Sequence, residues 1–210
     1  NSDTPKQFVP LLGKPLIFHT LQKFESCDCI DEIVLVLSDE GRERFEGSNL
    51  KSEITKLRSV VTGGSTRAES VRNGLRSLDA NDGDIVAVHD GARPLVTVDE
   101  IARTVEKAAE TGAACLVTPV TDTIKTIRGD EIAGTLERDK LRRALTPQAF
   151  KFEVLERAFE QSDLNEAVTD ECYLVEKLGH PVTFVEGSSR NIKITRPEDL
   201  IFAEALLTKN

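Results

Sequence analysis

Short apolar runs alternate with amphipathic stretches along most of this chain. Leu16 to Phe24 carries its apolar residues at helical spacing, and the run Ile33 to Leu37 that follows predicts a β-strand. Ser59-Val60-Val61 predicts a short strand leading into Gly63-Gly64, with a helix from about Thr66 to Leu78 behind it. Ile85 to Val88 is a continuous apolar run of the kind found in strands buried on both faces. Thr97 with Glu100 forms a capping box that opens a helix to about Thr111, and Ala114 to Val120 is another buried strand. Lys151 to Glu160 and Thr169 to Leu178 read as helices and Val182 to Glu186 as a strand. Thr195 with Glu198 makes a last capping box, with Pro197 in the first turn of a C-terminal helix.

Strands alternating with helices at this spacing predict an α/β fold with a mostly parallel sheet and helices on both faces. Crossovers are then right-handed, and ligands bind at the carboxyl ends of the strands. The stretch 121–139 breaks the rhythm. Strand-like pieces flank Arg128-Gly129-Asp130, which is a hairpin signal and too long for a plain βα loop. An isolated hairpin is marginal by itself, so a second subunit is its natural packing partner. Residues 1–210 otherwise read as one domain, with 121–139 as a dimerising β-arm.

Composition narrows the function classes. The chain is 39% hydrophobic and 30% charged, ordinary for a globular protein, and no apolar run approaches the length that spans a bilayer. The first residues hold no apolar signal region, so the cytoplasm is the default address. A formal net charge of −9, with the charges interspersed, argues against general nucleic-acid binding. It leaves room for a few cations to converge on one anionic substrate. Cys27 and Cys29 form a C-x-C pair without a second pair at zinc-ligand spacing, and Cys115 reads as a core hydrophobe, so the four cysteines are expected to be reduced thiols.

Candidate chemistry is scattered along the sequence. Lys6, within Pro5-Lys6-Gln7-Phe8, is either a lysine held against a polyphosphate by a rigid turn or a plain surface charge. Gly63-Gly64-Ser65-Thr66-Arg67-Ala68-Glu69-Ser70 follows a strand and opens a helix. Glycines there let backbone approach a ligand, and the helix offers N–H donors, although Thr66 with Glu69 also fits an ordinary capping box. Asp90, in His89-Asp90-Gly91-Ala92-Arg93-Pro94, stands at a strand's carboxyl end, where a carboxylate can hold Mg²⁺ together with substrate phosphates. Arg93 can grip a phosphate with its planar fork, or simply pair with Asp90. His89, like the other two histidines, is best explained structurally. Alternation puts Asn191, Lys193 and Thr195 on one face, opposite Ile192 and Ile194, leaving Lys193 a phosphate clamp or a surface charge. No Ser-His-Asp or Cys-His nucleophile is present in the pattern. Scattered cations around one strand-end carboxylate suit phosphoryl or nucleotidyl transfer, where catalysis is positioning and charge neutralisation.

Taken in order, PKQF, GGSTRAESV, VHDGARP, PVTDTIK, TLERDKL, LTPQAF, VTDE and EGSSRNIKITRPEDL resemble the 2-C-methyl-D-erythritol 4-phosphate cytidylyltransferases over nearly the whole chain, from Pro5 to Leu200. The resemblance implies a Rossmann-like nucleotidyltransferase domain and a homodimer joined by an extended β-arm. It implies attack of methylerythritol phosphate on the α-phosphorus of CTP, with Mg²⁺ as cofactor and pyrophosphate released. Lys6 would then stabilise charge on the CTP phosphates. Gly64, Ser65, Arg67 and Ser70 would form the CTP-binding loop, and Asp90 would bind metal and touch substrate. Arg93 and Lys193 would hold the substrate phosphate, with Thr146 and Thr169 close by. Thr123 and Arg138 would reach the partner's site from the arm. The family opens with a strand and a glycine-rich loop around the triphosphate, which has no counterpart here; with no methionine in the chain, a preceding segment is expected. A ribitol-5-phosphate cytidylyltransferase, a non-catalytic nucleotide-binding module and one half of a fused bifunctional enzyme are the alternatives. In a plant or alga the address would be the plastid stroma.

Overall fold

The computed structural model describes residues 5–164 and 168–208. Behind a short 3₁₀ turn at Lys6–Phe8, β1 (Pro10–Leu11) and β2 (Lys14–Pro15) form a tight antiparallel pair leading into α1 (Leu16–Glu25). There follow β3 (Ile33–Leu37), α2 (Asp39–Glu46), β4 (Leu57–Thr62), α3 (Arg67–Arg76), β5 (Ile85–Val88), α4 (Val98–Thr111) and β6 (Ala113–Pro119). The arm is β7 (Lys125–Arg128) with β8 (Glu131–Thr135). Then come β9 (Arg142–Lys151), α5 (Phe152–Glu160), α6 (Glu171–Lys177), β10 (Thr183–Glu186) and α7 (Pro197–Thr208).

Four strands pair in the order β10-β6-β9-β5, and β3 pairs in parallel with β4 as a separate ribbon. In the four-stranded sheet, β10, β6 and β5 run one way and β9 runs against them. Alternation along β6 assigns its two faces. Ala113, Cys115 and Val117 pack with Ala68 and Leu75 of α3, Leu155 and Phe159 of α5 and Val175 of α6. On the opposite face Ala114 meets Ala108 of α4, and Leu116 meets Leu145 and Val185. Helices therefore cover both faces, as the alternating pattern requires. Phe150 is fully buried in the larger cluster, and truncating such a ring to alanine costs about 3–5 kcal/mol. A second core under β3 joins Phe18 and Leu21 of α1 to Leu35, Leu37 and Phe45.

The hairpin is present where 121–139 predicted it, turning at Gly129 with φ 58°. Its apolar residues find no cover within the subunit: Ile127 is 74% exposed and Ile132 68%.

Several expectations are corrected. Ile85 to Val88 is half-buried along its whole length, not buried on both faces, because one edge of β5 is unpaired. That edge and β3 line opposite sides of a cavity of about 730 Å³. Residues Arg142–Lys151, with only Lys151 assigned from sequence (to a helix), form the long strand β9, and α5 begins at Phe152. The segment 190–195 has no strand: Asn191 and Ile194 are both buried while Thr195 is exposed, because Ile194 N–H bonds the Ala92 carbonyl and pins the chain irregularly. At the start of α7 it is Asp199, not Glu198, that accepts from the Thr195 and Arg196 N–H groups, at 2.8 Å each. At α3 the Glu69 carboxylate reaches past Thr66 to accept from Ser65 N–H at 2.8 Å, so the box is shifted by one residue. Among the described residues no helix is long and apolar enough to cross a membrane.

Candidate active site

Asp90 lies just past the end of β5, and its surroundings are built from four distant segments. The Lys193 ammonium donates to Oδ2 at 3.0 Å and Arg93 Nε donates to the same oxygen at 3.2 Å. Arg67 Nε faces Oδ1 at 3.5 Å, a long contact. The carboxylate is only 13% exposed, and burial alone would raise its pKa. The charges of Lys193, Arg67 and Arg93 outweigh that and bring it to about 2. Asp90 therefore stays ionised throughout the physiological range.

A hydrogen-bonded relay fixes the backbone beneath this carboxylate. His89 Nε2 lies 3.2 Å from the Arg93 carbonyl, which only accepts, so this nitrogen carries the proton. Nδ1, 3.0 Å from Thr146 Oγ1, then accepts from that hydroxyl, and the hydroxyl oxygen accepts from Asp90 N–H at 3.1 Å. Burial pushes the His89 pKa down to about 4, in keeping with a neutral ring that holds the loop in shape. Thr146 is available for this because β9 loses its ladder register against β6 between Cys115 and Val117, beside the site.

Lys193 is placed by a clamp from the opposite direction. Asn191, fully buried, donates from Nδ2 to the Thr146 carbonyl at 3.0 Å and offers its own carbonyl to Arg93 Nη1 at 2.9 Å. Glu100 completes the α4 capping box with Thr97 and accepts from Ser188 N–H at 2.6 Å. A methyl group at Gly187 would stand 2.8 Å from that Glu100 oxygen, so the close approach needs glycine.

Arg67 opens α3, and the turn before it is equally tight. Ser70 Oγ accepts from Gly64 N–H at 3.0 Å and donates to the Thr66 carbonyl at 2.8 Å. A Cβ at Gly64 would lie 2.3 Å from Glu69 Cβ, and one at Gly63 would lie 2.7 Å from Ser70 Oγ. The Gly-Gly pair is thus required by packing as well as by any ligand. The Ser65 hydroxyl bonds Glu69.

Most of the residues singled out by sequence converge. Arg67, Asp90, Arg93, Thr146 and Lys193 make one contact network, and Lys6 and Ser70 line the same cavity as Arg67, Asp90 and Lys193. Gly64 and Ser70 line an adjoining hollow of about 340 Å³ with Gln7 and Thr62. Thr123 and Arg138 stay on the arm, away from both cavities, with Arg138 Nη1 bonded to the Thr121 carbonyl at 3.1 Å. Thr169 is exposed beside Asp170. Glu171, Gln148 and Asn191, all buried around the network, escaped assignment as site residues, since nothing in their local pattern marks a buried polar side chain.

Among the described residues no cluster of three or more His, Cys, Asp or Glu forms a metal cage. Mg²⁺ does not need one: it is bound by one or two carboxylates, with phosphates and waters filling its octahedron. Asp90 Oδ1, with only the long Arg67 contact, is the oxygen suited to it.

Residues 1–209 match the family model for 2-C-methyl-D-erythritol 4-phosphate cytidylyltransferase, IspD. The chain belongs to this family. It is similar to the enzyme of that name from Halalkalibacterium halodurans, at 42% identity over 97% of the chain and 89% of the relative. It is also 43% identical to part of a bifunctional IspD/IspF enzyme from Desulfotalea psychrophila, of which it covers 52%. Among solved structures, the 4-diphosphocytidyl-2C-methyl-D-erythritol synthase of Anaerococcus prevotii superposes with a TM-score of 0.88 at 30% identity, covering 99% of this chain and 92% of that one. The family's mixed α/β nucleotidyltransferase fold is thereby the fold of this chain.

Proposed function

We propose that this protein transfers the cytidylyl group of CTP to 2-C-methyl-D-erythritol 4-phosphate at the Asp90 cluster, releasing pyrophosphate. The observation that carries the reading is the convergence of Arg67, Arg93 and Lys193 on one buried carboxylate at the strand ends. An oxygen of the polyol phosphate attacks the α-phosphorus as the bond to the β-phosphate oxygen breaks, and pyrophosphate carries away the negative charge. Arg93 and Lys193 bind and aim the attacking phosphate. Arg67 and Lys6 face the triphosphate and offset charge as it builds up, while Gly64, Ser65 and Ser70 seat the cytidine end. Asp90 would hold Mg²⁺, which when bound neutralises phosphate charge. Thr146 supports Asp90 from below, and Thr169 borders the substrate end.

The exposed Ile127 and Ile132 support a homodimer in which the arm lies against a second copy, carrying Thr123 and Arg138 to the partner's site. The slot between the unpaired edges of β3 and β5 supports a further strand there, with a glycine-rich loop ahead of Lys6. Four free cysteines suit a reducing compartment, the cytoplasm or the stroma of a plastid. The test is pyrophosphate release from CTP with methylerythritol 4-phosphate beside ribitol 5-phosphate. Release that depends on the methylerythritol compound supports the reading. Preference for ribitol phosphate replaces the substrate, and binding of CTP without release turns the protein into a nucleotide-binding module.

A further inference from the structure

Glu171 opens α6, is fully buried, and has no part in the chemistry above. Its two carboxylate oxygens accept from Arg67 Nη1 at 2.6 Å and Nη2 at 3.0 Å, a bidentate fork. The backbone beneath the carboxylate is pinned, because Glu171 N–H donates to Gln148 Oε1 at 3.1 Å and Gln148 Nε2 in turn donates to Asp170 at 2.9 Å, and full burial confines the side chain. Arg67 is different: its side chain is a third exposed, lines the cavity, and sends Nε towards Asp90. Of its five N–H donors the fork takes two and Asp90 one, which leaves two for whatever enters the cavity. Without the fork, the guanidinium would be free to close on Asp90 and displace Lys193 from a carboxylate already shared by three cations.

We propose that Glu171 is a positioning residue for the transfer reaction, acting through Arg67. It holds the guanidinium from behind, so that the remaining donors point at the triphosphate and Asp90 Oδ2 is left to Lys193 and Arg93. The proposal rests on the assignment of Arg67 to the active site. The competing explanation is a plain brace that ties α6 to α3 and contributes only folded protein.

A double-mutant cycle on the full chain separates the two, using kcat and KM for CTP and methylerythritol 4-phosphate together with melting temperature. Glu171→Gln keeps the volume but replaces one accepting oxygen with a donor that repels the fork. It should lower kcat/KM for CTP by about 10–100-fold, the scale of a roughly 1 Å misplacement of a binding group. In an Arg67→Met background the same change should cost less than about twofold, because the group it positions has gone. Its effect on melting temperature should also change sign, since Gln there relieves an unpaired buried carboxylate. A plain brace, being the same Arg67–Glu171 fork, predicts a lower melting temperature with kcat/KM unchanged in the folded Arg67 enzyme; that result, or an equal fold-loss in both backgrounds, overturns the proposal. Full turnover by Arg67→Met instead removes Arg67 from the site, and the proposal falls with that assignment. If Glu171→Gln does not fold, Glu171→Asp sets the carboxylate back by one methylene and must show the same background dependence.

Discussion

Replacing Asp90 with asparagine keeps the side-chain shape and removes the charge on which three cations converge. At an effective dielectric near 20, each cation 3.0–3.5 Å away attracts the carboxylate by roughly 5 kcal/mol before desolvation. Most of that is cancelled by the cost of burying Asp90 and Arg93, whose side chains are 13% and 12% exposed. The net is read from the pKa, drawn from the ordinary 3.8 to about 2: close to two units, or about 2 kcal/mol in favour of the ionised form. Because the folded pKa lies below the unfolded one, this stability is fully present above about pH 4 and is lost as pH falls towards 2. At neutral pH, Asp90→Asn should therefore melt about 4–8 °C lower, at 2–4 °C per kcal/mol for a chain of this length. It should also lose about two or more orders of magnitude in kcat, the scale of removing one preorganised charge. Melting followed by circular dichroism and pyrophosphate release across a Mg²⁺ titration read both effects. An equal or higher melting temperature would refute the net attraction, and an unchanged metal dependence would refute the role of Asp90 in holding Mg²⁺.

Gly64→Ala must push a methyl group against Glu69 Cβ, 2.3 Å away, and so opens the loop that carries Ser65 and Ser70; KM for CTP should rise at least about tenfold while KM for the polyol phosphate stays within threefold, and unchanged nucleotide KM would clear the loop of a role. His89 stays neutral in the fold down to about pH 4 whereas an unfolded histidine protonates near 6.5, so stability should fall by up to about 3 kcal/mol as pH drops from 6.5 to 4. His89→Gln should flatten that slope in denaturant titrations, and an identical slope would place the titration elsewhere. Lys6→Ala and Arg138→Ala should each cut turnover by about two orders of magnitude, and mixing them should restore part of it through hybrid dimers; no recovery despite proven subunit exchange would sink the shared site.

Sequence and structure agree most closely where a single local rule decides the outcome. Ile33 to Leu37 and Ala113 to Val117 lie in strands because their apolar runs leave no polar face, and Thr97 with Glu100 starts α4 because both capping bonds form. β9 was hidden by Pro147, which removes a ladder donor and argues against a central strand. The protein accommodates it at the register break opposite Leu116, beyond the last pair with β5 at Gln148. The half-burial of Ile85 to Val88 was equally invisible, since an apolar run does not reveal which of its edges is paired. Within the site, Asp90 and Arg93 were accessible to reasoning because charged residues just past a strand end invite a ligand, whereas spacing left Lys193 open between a phosphate clamp and a surface charge, and only the family resemblance supplied its role. Glu171 and Asn191 were not accessible. Their burial arises from partners about 100 residues away along the chain, Arg67 for one and Arg93 for the other, and no local spacing encodes that.

We propose that Arg93 and Lys193 form the seat of the substrate phosphate beside Asp90. Steady-state kinetics of Arg93→Ala and Lys193→Ala, with CTP saturating and methylerythritol 4-phosphate varied, address it most directly. The geometry predicts at least about tenfold higher KM for the polyol phosphate in both variants, with KM for CTP changed by less than threefold. Wild-type KM for the polyol phosphate in either variant would contradict it.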